Sequence, residues 1–276
     1  MAANNITVTD SELSEIKRIA RRAGAILLSY YRSDANVDWK APGDPVTAAD
    51  RDASEYIVGE LRILFPDDAI LSEEEPDDPK RLSSTRVWMI DPMDGTREFI
   101  AHREDFSVMI GLIIKGQPKL GVVYQPVKDK LYSAAESLGA VLEDQSGTRN
   151  LQVSLEDTAS KLTMARSRSH RSSRVDRIAE TLRIGQSIAM GSVGLKVGLI
   201  CEGQAHLYVH LGNMTQIWDT CAPDAILREA GGRMTDVYGN PLRYVDRDVK
   251  NKHGVIASNG MIHDRVLRVA QSVITP

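Results

Sequence analysis

The residues best placed to do chemistry lie in Val87-Trp88-Met89-Ile90-Asp91-Pro92-Met93-Asp94-Gly95-Thr96-Arg97-Glu98-Phe99. Four apolar residues in a row predict a buried strand. Pro92 can donate no ladder hydrogen bond and biases Asp91 away from helical geometry, so the strand is expected to stop there. Two carboxylates, Asp91 and Asp94, mark its end, and Gly95-Thr96 opens a short helix. Anionic side chains at the end of a buried strand are costly unless something cationic meets them. A hard divalent ion such as Mg²⁺ does so, taking carboxylate and backbone carbonyl oxygens at about 2.0–2.1 Å. The Gly95 and Thr96 amides would face outward at the helix start and seat a phosphate. Metal and phosphate together are the ingredients of phosphoryl chemistry. The same residues also suit an ordinary surface turn, since Asp-Pro and Asp-Gly are common turn pairs, and the stretch alone does not decide.

Other charged residues repeat the pattern, each with a plainer explanation beside it. Ala69-Ile70-Leu71 predicts a short strand that runs into Ser72-Glu73-Glu74-Glu75. A solvated acidic loop, extended by Asp77 and Asp78, accounts for it. Neighbouring strands ending together would instead bring Glu73 beside Asp91 and Asp94. Asp219, in Trp218-Asp219-Thr220-Cys221-Ala222-Pro223, is either a helix N-cap or a third carboxylate at a helix mouth. Asp50 follows Thr47 at capping-box spacing, the favoured role from the residues alone; the other is to face a metal-bound water. The loop Arg166-Ser167-Arg168-Ser169-His170-Arg171 is a solvated basic loop or an anion or nucleobase site. Lys196 falls in the first turns of the helix opened by Gly191-Ser192-Val193-Gly194, against the helix dipole, which mildly disfavours a purely structural role.

The elements that position these residues alternate between helix and strand. Thr9 and Glu12 form a capping box, and apolar residues at helical spacing predict a helix over 10–32. Residues 40–45 read as a loop, and a second helix follows near 47–65. Residues 105–135 read as a β-meander, and the polar segment 143–150 marks a boundary between an N-terminal half, 1–150, and a C-terminal half, 151–276. In the second half strands are expected at 161–165, 205–210, 232–237 and 254–257, with helices at 172–182, from 191, from 218 to 230, and at 261–273. This is an α/β chain.

The 276 residues carry a net charge of −4 with no long Lys/Arg run, which speaks against a polymeric nucleic-acid partner. The apolar runs are too short to span a bilayer, and residues 1–10 lack a signal-peptide core. Cys201 and Cys221 sit in apolar helical patterns and are expected to be reduced, buried thiols, consistent with the cytoplasm.

Taken together, Asp44-Pro-Val-Thr-Ala-Ala-Asp50, Ser72-Glu-Glu74, Trp88-Met-Ile-Asp-Pro-Met-Asp-Gly-Thr96 and Trp218-Asp219 with Gly231-Gly232 resemble the inositol monophosphatase family of Mg²⁺-dependent, lithium-sensitive phosphatases. They span nearly the whole chain in the family's order. Within the family, Asp94-Gly-Thr-Arg-Glu-Phe-Ile100, Ser167-Arg-Ser-His170, Lys196 and Trp218-Asp-Thr-Cys-Ala-Pro223 look most like the 3′(2′),5′-bisphosphate nucleotidases, which remove the 3′-phosphate of adenosine 3′,5′-bisphosphate. Inositol phosphatases typically carry Thr-Asn where this chain has Arg97-Glu98, and an acidic residue near where His210 falls. Two positions depart from the nucleotidases: several have arginine at His210, and a serine of their 5′-phosphate site falls on Val193.

The resemblance implies a layered αβαβα sandwich of the inositol monophosphatase and fructose-1,6-bisphosphatase type, with the active site between the halves. It implies two or three Mg²⁺ ions: Glu73, Asp91 and the Met93 carbonyl hold one, Asp91, Asp94 and Asp219 a second, and Glu73 helps with a third. Asp50 and the Thr96 hydroxyl would orient and deprotonate water, while the Gly95 and Thr96 amides hold the phosphate. Arg168, His170, Ser192, Lys196 and His210 would bind the remainder of the substrate, and Lys40 would support the metal site. The expected partner is a small phosphorylated nucleotide and the expected state a monomer or homodimer, with no membrane. Two alternatives are an inositol or sugar monophosphatase and a silent nucleotide-binding regulator; intact Glu73, Asp91, Asp94, Thr96 and Asp219 argue against the latter.

Overall fold

Thr9 opens the first helix as its spacing to Glu12 predicts. Glu12 N donates to Thr9 Oγ1 at 3.2 Å, and Thr9 N donates to Glu12 Oε2 at 2.8 Å. In the computed structural model, which describes residues 7–31, 37–41 and 44–274, this helix is α1 (Asp10–Tyr31), with Ile16, Ile19, Ala20, Ala23 and Leu27 as its buried stripe. The expected loop around Lys40 is instead an antiparallel ribbon of β1 (Val37–Ala41) and β2 (Asp44–Thr47). A two-stranded ribbon has only edges, so Pro45 costs it no ladder bond on its outer side. The side chains of residues 37, 39–41 and 44–46, and with them the role expected for Lys40, lie outside the described residues. Thr47 then caps α2 (Ala48–Leu64).

β3 (Ala69–Ser72) and β4 (Arg86–Asp94) run parallel, with Ser72 opposite Ile90. Their acidic ends therefore meet at one edge, as the matching strand–carboxylate pattern suggested. β4 does not stop at Pro92. It pairs with the next strand through Asp91 and again at Asp94, and Pro92 sits in the irregularity between them, where no ladder bond is required of it. After the single turn of α3 (Thr96–Ile100), the meander is β5 (Ser107–Ile114), β6 (Gln117–Gln125) and β7 (Lys130–Ala135). The expected boundary segment is a hairpin, β8 (Gly139–Asp144) and β9 (Gly147–Asn150). It closes a seven-stranded sheet in sequential order from β3 to β9.

The rest of the chain is β10 (Thr163–Ser167), α4 (Ser173–Thr181), β11 (Gln186–Met190), α5 (Val193–Cys201), β12 (Leu207–His210), α6 (Ile217–Glu229), β13 (Arg233–Thr235), β14 (Val255–Ser258) and α7 (His263–Ile274). Its five strands form a mixed sheet ordered β11-β10-β12-β14-β13. β11 carries little periodic signal because it is an edge strand whose Gln186, Ser187 and Ala189 are exposed.

Five layers result. α1 and α2 cover the outer face of the large sheet, burying Ile16, Leu27, Ile57 and Leu61 against Trp88, Ile110 and Val122. α5 and α6 fill the space between the sheets, in a core shared by both halves that includes Met109, Val123, Tyr208 and Ile226. α4 and α7 cover the far face of the small sheet through Ile178, Val266 and Ala270. Gly121 is required for this stacking: a Cβ there would lie 2.2 Å from the Ala222 carbonyl oxygen of α6. Cys201 and Cys221 are free and buried, as expected. Among the described residues no helix is long and apolar enough to cross a membrane.

Candidate active site

The acidic residues of the two parallel strands and of α6 converge on one cleft of about 590 Å³, lined by Glu73, Asp91, Met93, Asp94, Gly95, Thr96 and Asp219 among others. Glu73 is set by its amide, which continues the parallel pairing by donating to the Ile90 carbonyl at 3.1 Å. Asp91, 2% exposed, accepts from Met93 N at 2.9 Å. Asp94 Oδ2 accepts from Ser192 Oγ at 2.6 Å and Gly194 N at 3.2 Å. Asp219 is not the N-cap of α6; it lies three residues further on and accepts from Gln216 N at 2.8 Å.

Burial raises Asp91 well above the usual carboxylate range, and the charges of Glu73, Asp94 and Asp219 push it further. Asp219 is raised likewise, by burial and then by Asp94 and Glu73, and it shares a hydrogen bond with Asp91. Carboxylates so placed either hold a proton between them or gather a cation. Among the described residues no three His, Cys, Asp or Glu side chains already converge tightly enough to hold an ion. Oxygens of Asp91, Asp94 and Asp219 turn to the amides and hydroxyl just named. What fits a hard divalent ion is the donor set itself, carboxylate oxygens plus a carbonyl, together with the accumulated negative charge.

Asp50 performs its capping role and reaches the cleft as well. Its Oδ2 accepts from Thr47 N at 2.7 Å and Thr47 Oγ1 at 2.6 Å, while Oδ1 accepts from Thr96 Oγ1 at 3.2 Å. The Thr96 hydroxyl also lies 3.3 Å from the Met93 carbonyl oxygen.

Basic groups line the same cleft: Arg97, His170, Lys196 and His210, with Lys250 at another point on the lining. Lys196 is buried, its ammonium hydrogen-bonded to the Gly191 carbonyl and 5.1 Å from the centre of the Tyr208 ring. Burial lowers its pKa, against the pull of Asp94, Glu98 and Asp219. His170 is lowered by burial, then by Arg97 and Lys196. His210 is pushed down to about 4, by burial first and then by Lys196 and His170, so it is neutral at pH 7. Its Nε2 and the indole Nε1 of Trp218, which also lines the cleft, are buried without a hydrogen-bond partner among the described residues.

Two of the expected substrate contacts lie elsewhere. Arg168 is absent from the lining; its Nε pairs with Asp105 Oδ2 at 2.9 Å and its Nη2 donates to the Ala189 carbonyl at 2.9 Å. A nearby carboxylate satisfies the guanidinium before any ligand does. Ser192 is fully buried, donating to Asp94, accepting from Leu195 N at 3.1 Å and touching Ser107 Oγ at 2.8 Å. It orients an acidic side chain rather than facing the cleft. Conversely, Val193 does line the cleft and offers only an apolar surface there. Sequence reasoning passed over Glu98, buried on the lining and accepting from the Ser169 hydroxyl, and over Asp105. The one available signal for Glu98 was its place in the first turn of the short helix that opens after Asp94-Gly95.

Comparison with known proteins follows the same lines. A model of the inositol monophosphatase family matches residues 10–275. The 3′(2′),5′-bisphosphate nucleotidase CysQ of Escherichia coli is 40% identical over 239 residues, 86% of this chain and 95% of that protein. Among solved structures, an IMPase from Thermotoga maritima superposes with a TM-score of 0.83 at 28% identity, covering 96% of this chain and 98% of its own. CysQ from Bacteroides thetaiotaomicron gives 0.78 at 30% identity, covering 91% and 97%.

Proposed function

This chain belongs to the inositol monophosphatase family, and from that premise we propose that it hydrolyses the 3′-phosphate of adenosine 3′,5′-bisphosphate, or of its sulfated form, to AMP and phosphate. The observation that carries this reading is the cleft's two-signed lining: Glu73, Asp91, Asp94 and Asp219 together with Arg97, His170 and Lys196. A cation on the acidic group can serve one phosphate; the basic group suits a second phosphate on the same molecule. The identity to a nucleotidase over nearly its full length supports the same choice.

On this reading Glu73, Asp91, Asp94, Asp219 and the Met93 carbonyl hold two or three Mg²⁺ ions, which would neutralise phosphate charge and acidify a water. The chain's own residues do the rest. Thr96 Oγ1 accepts from the attacking water and passes its own proton toward Asp50 Oδ1, whose partner oxygen is fixed by Thr47. The Gly95 and Thr96 amides orient the scissile phosphate. Ser192 keeps Asp94 aimed. Lys196 and His170 hold the uncleaved phosphate, and neutral His210 meets the nucleoside. With water as the attacking group no Cys, Ser or His nucleophile is needed, so no phosphoenzyme is expected. The enzyme is cytoplasmic, a monomer or homodimer, sensitive to lithium, and acts on a small nucleotide rather than on polymeric nucleic acid; the charge of −4 and the free thiols support this setting.

A second reading, inositol monophosphatase, is favoured by the likeness to the Thermotoga structure. Phosphate release with Mg²⁺ separates the two. kcat/KM for adenosine 3′,5′-bisphosphate should exceed that for inositol 1-phosphate by at least about tenfold, one charge-assisted contact's worth. The reverse preference overturns the substrate assignment, and no release from either overturns the enzyme.

A further inference from the structure

We propose that Asp105 and Arg168 form a positioning clamp: together they set the two recognition loops of the cleft against its catalytic end. Breaking the clamp weakens recognition of the doubly phosphorylated substrate while sparing hydrolysis. The proposal rests on the substrate reading above for its choice of ligand, though not for its geometry.

Asp105 lies just before β5, in the N-terminal half, and is buried. Three groups of the C-terminal half converge on it. Arg168 Nε and Gly191 N donate to its Oδ2 at 2.9 Å and 2.8 Å, and Ser192 N donates to its backbone carbonyl at 3.1 Å. Arg168 in turn donates through Nη2 to Ala189 at the end of β11. One guanidinium thus ties the segment after β10 to the segment before α5, and one carboxylate fixes both to the other half.

The first loop carries a cleft-lining base and the second anchors one. The first holds His170, whose amide donates to Ser167 Oγ at 3.1 Å, and its Ser169 hydroxyl donates to Glu98 of α3. The second ends in Gly191, whose carbonyl receives the Lys196 ammonium. The packing leaves no slack: a Cβ on Gly191 would lie 2.4 Å from the Asp105 carbonyl oxygen and 2.6 Å from Glu98 Cγ. A shift of the Asp105 carboxylate therefore moves Gly191, and with it the anchor of Lys196. The contacts of the catalytic end run through the Asp105 backbone, which these substitutions keep: Gly95 abuts its carbonyl, and Ser192, whose hydroxyl holds Asp94, donates its amide to the same carbonyl.

The test compares D105N, R168M and the double variant on adenosine 3′,5′-bisphosphate and on adenosine 3′-monophosphate, which lacks the second anion. R168M should raise KM for the bisphosphate roughly tenfold, and D105N, which keeps an acceptor oxygen but loses its charge, about two- to tenfold; both should leave kcat and KM for the monophosphate within about twofold. The double variant should be no worse than R168M, because D105N acts by weakening the pair that R168M removes. Equal losses on both substrates, no loss on either, or additive losses overturn the clamp. So does a loss in R168M without one in D105N, which would make Arg168 a direct ligand. Arg168 is about one-third exposed, so R168M keeps the test open if D105N does not fold. Wild-type preference decides the substrate reading separately. If inositol 1-phosphate is preferred, that reading fails, and the clamp stands or falls on whether D105N raises KM for inositol 1-phosphate without lowering kcat.

Discussion

Replacing Asp50 with asparagine separates the two roles of its carboxylate. Oδ2 caps α2 through the amide and hydroxyl of Thr47, at 2.7 and 2.6 Å, while Oδ1 meets the Thr96 hydroxyl at 3.2 Å. An asparagine of the same shape can keep its oxygen toward Thr47 and turn its NH₂ toward Thr96. That hydroxyl then donates to the Met93 carbonyl, already 3.3 Å away. The cap survives as a neutral bond instead of a charge-assisted one, a loss of about 0.5–1.5 kcal/mol. Proton acceptance does not survive, since a side-chain NH₂ is a donor only. General-base catalysis contributes about 10²–10⁴-fold, or about 3–5.5 kcal/mol of barrier. The two effects are scored separately, by phosphate release at saturating Mg²⁺ and by thermal melting. kcat should fall at least about 100-fold with little change in half-saturating Mg²⁺, and Tm by only about 1–6 °C for a chain of this size. Unchanged kcat with that small Tm drop would make Asp50 a helix cap and nothing more, and would refute the proton relay.

Asp94→Asn should abolish turnover while the fold persists, because a neutral amide is a poor Mg²⁺ ligand; near-normal activity at saturating Mg²⁺, with an unaltered far-ultraviolet spectrum, removes Asp94 from the ion site. Lys196→Met should lower kcat/KM for adenosine 3′,5′-bisphosphate by roughly 10- to 150-fold and hardly touch adenosine 3′-monophosphate; equal losses would assign Lys196 to the catalytic centre or the fold. Acid should destabilise the protein through His263, which is buried between Ser258 Oγ and Thr235 Oγ1 at 2.8 and 2.9 Å and is pushed down to about 4 by burial and then by Arg233. The unfolded chain then binds the extra proton below about pH 6.5, so stability is full above that pH and declines as pH falls toward 4, by on the order of 2 kcal/mol at pH 5. Urea unfolding of wild type and His263→Gln at pH 7 and pH 5 checks this, and equal pH slopes in the two proteins would contradict it.

Contacts between neighbours in the chain could be read from residue order alone. The capping boxes at Thr9/Glu12 and Thr47/Asp50 were legible because each closes over three residues. The acidic strand ends at Glu73, Asp91 and Asp94 were legible because apolar runs that stop at carboxylates are local patterns, and the parallel register of β3 and β4 brings those ends together. The alternating α/β order followed from periodicity alone. Tertiary structure decided the rest. β4 runs through Pro92 because β5 pairs with it on both sides of an irregularity, and β11 exists because β10 offers it a parallel edge. Arg168 turned from the substrate to Asp105, 63 positions away in the chain, and Ser192 turned to Asp94, 98 positions away. Basic and hydroxyl side chains look alike in a sequence whether they meet a ligand or a carboxylate of the other half. Only the packing of one half on the other determines which acceptor lies within hydrogen-bond reach, and in a buried site each donor is committed to the partner it finds there.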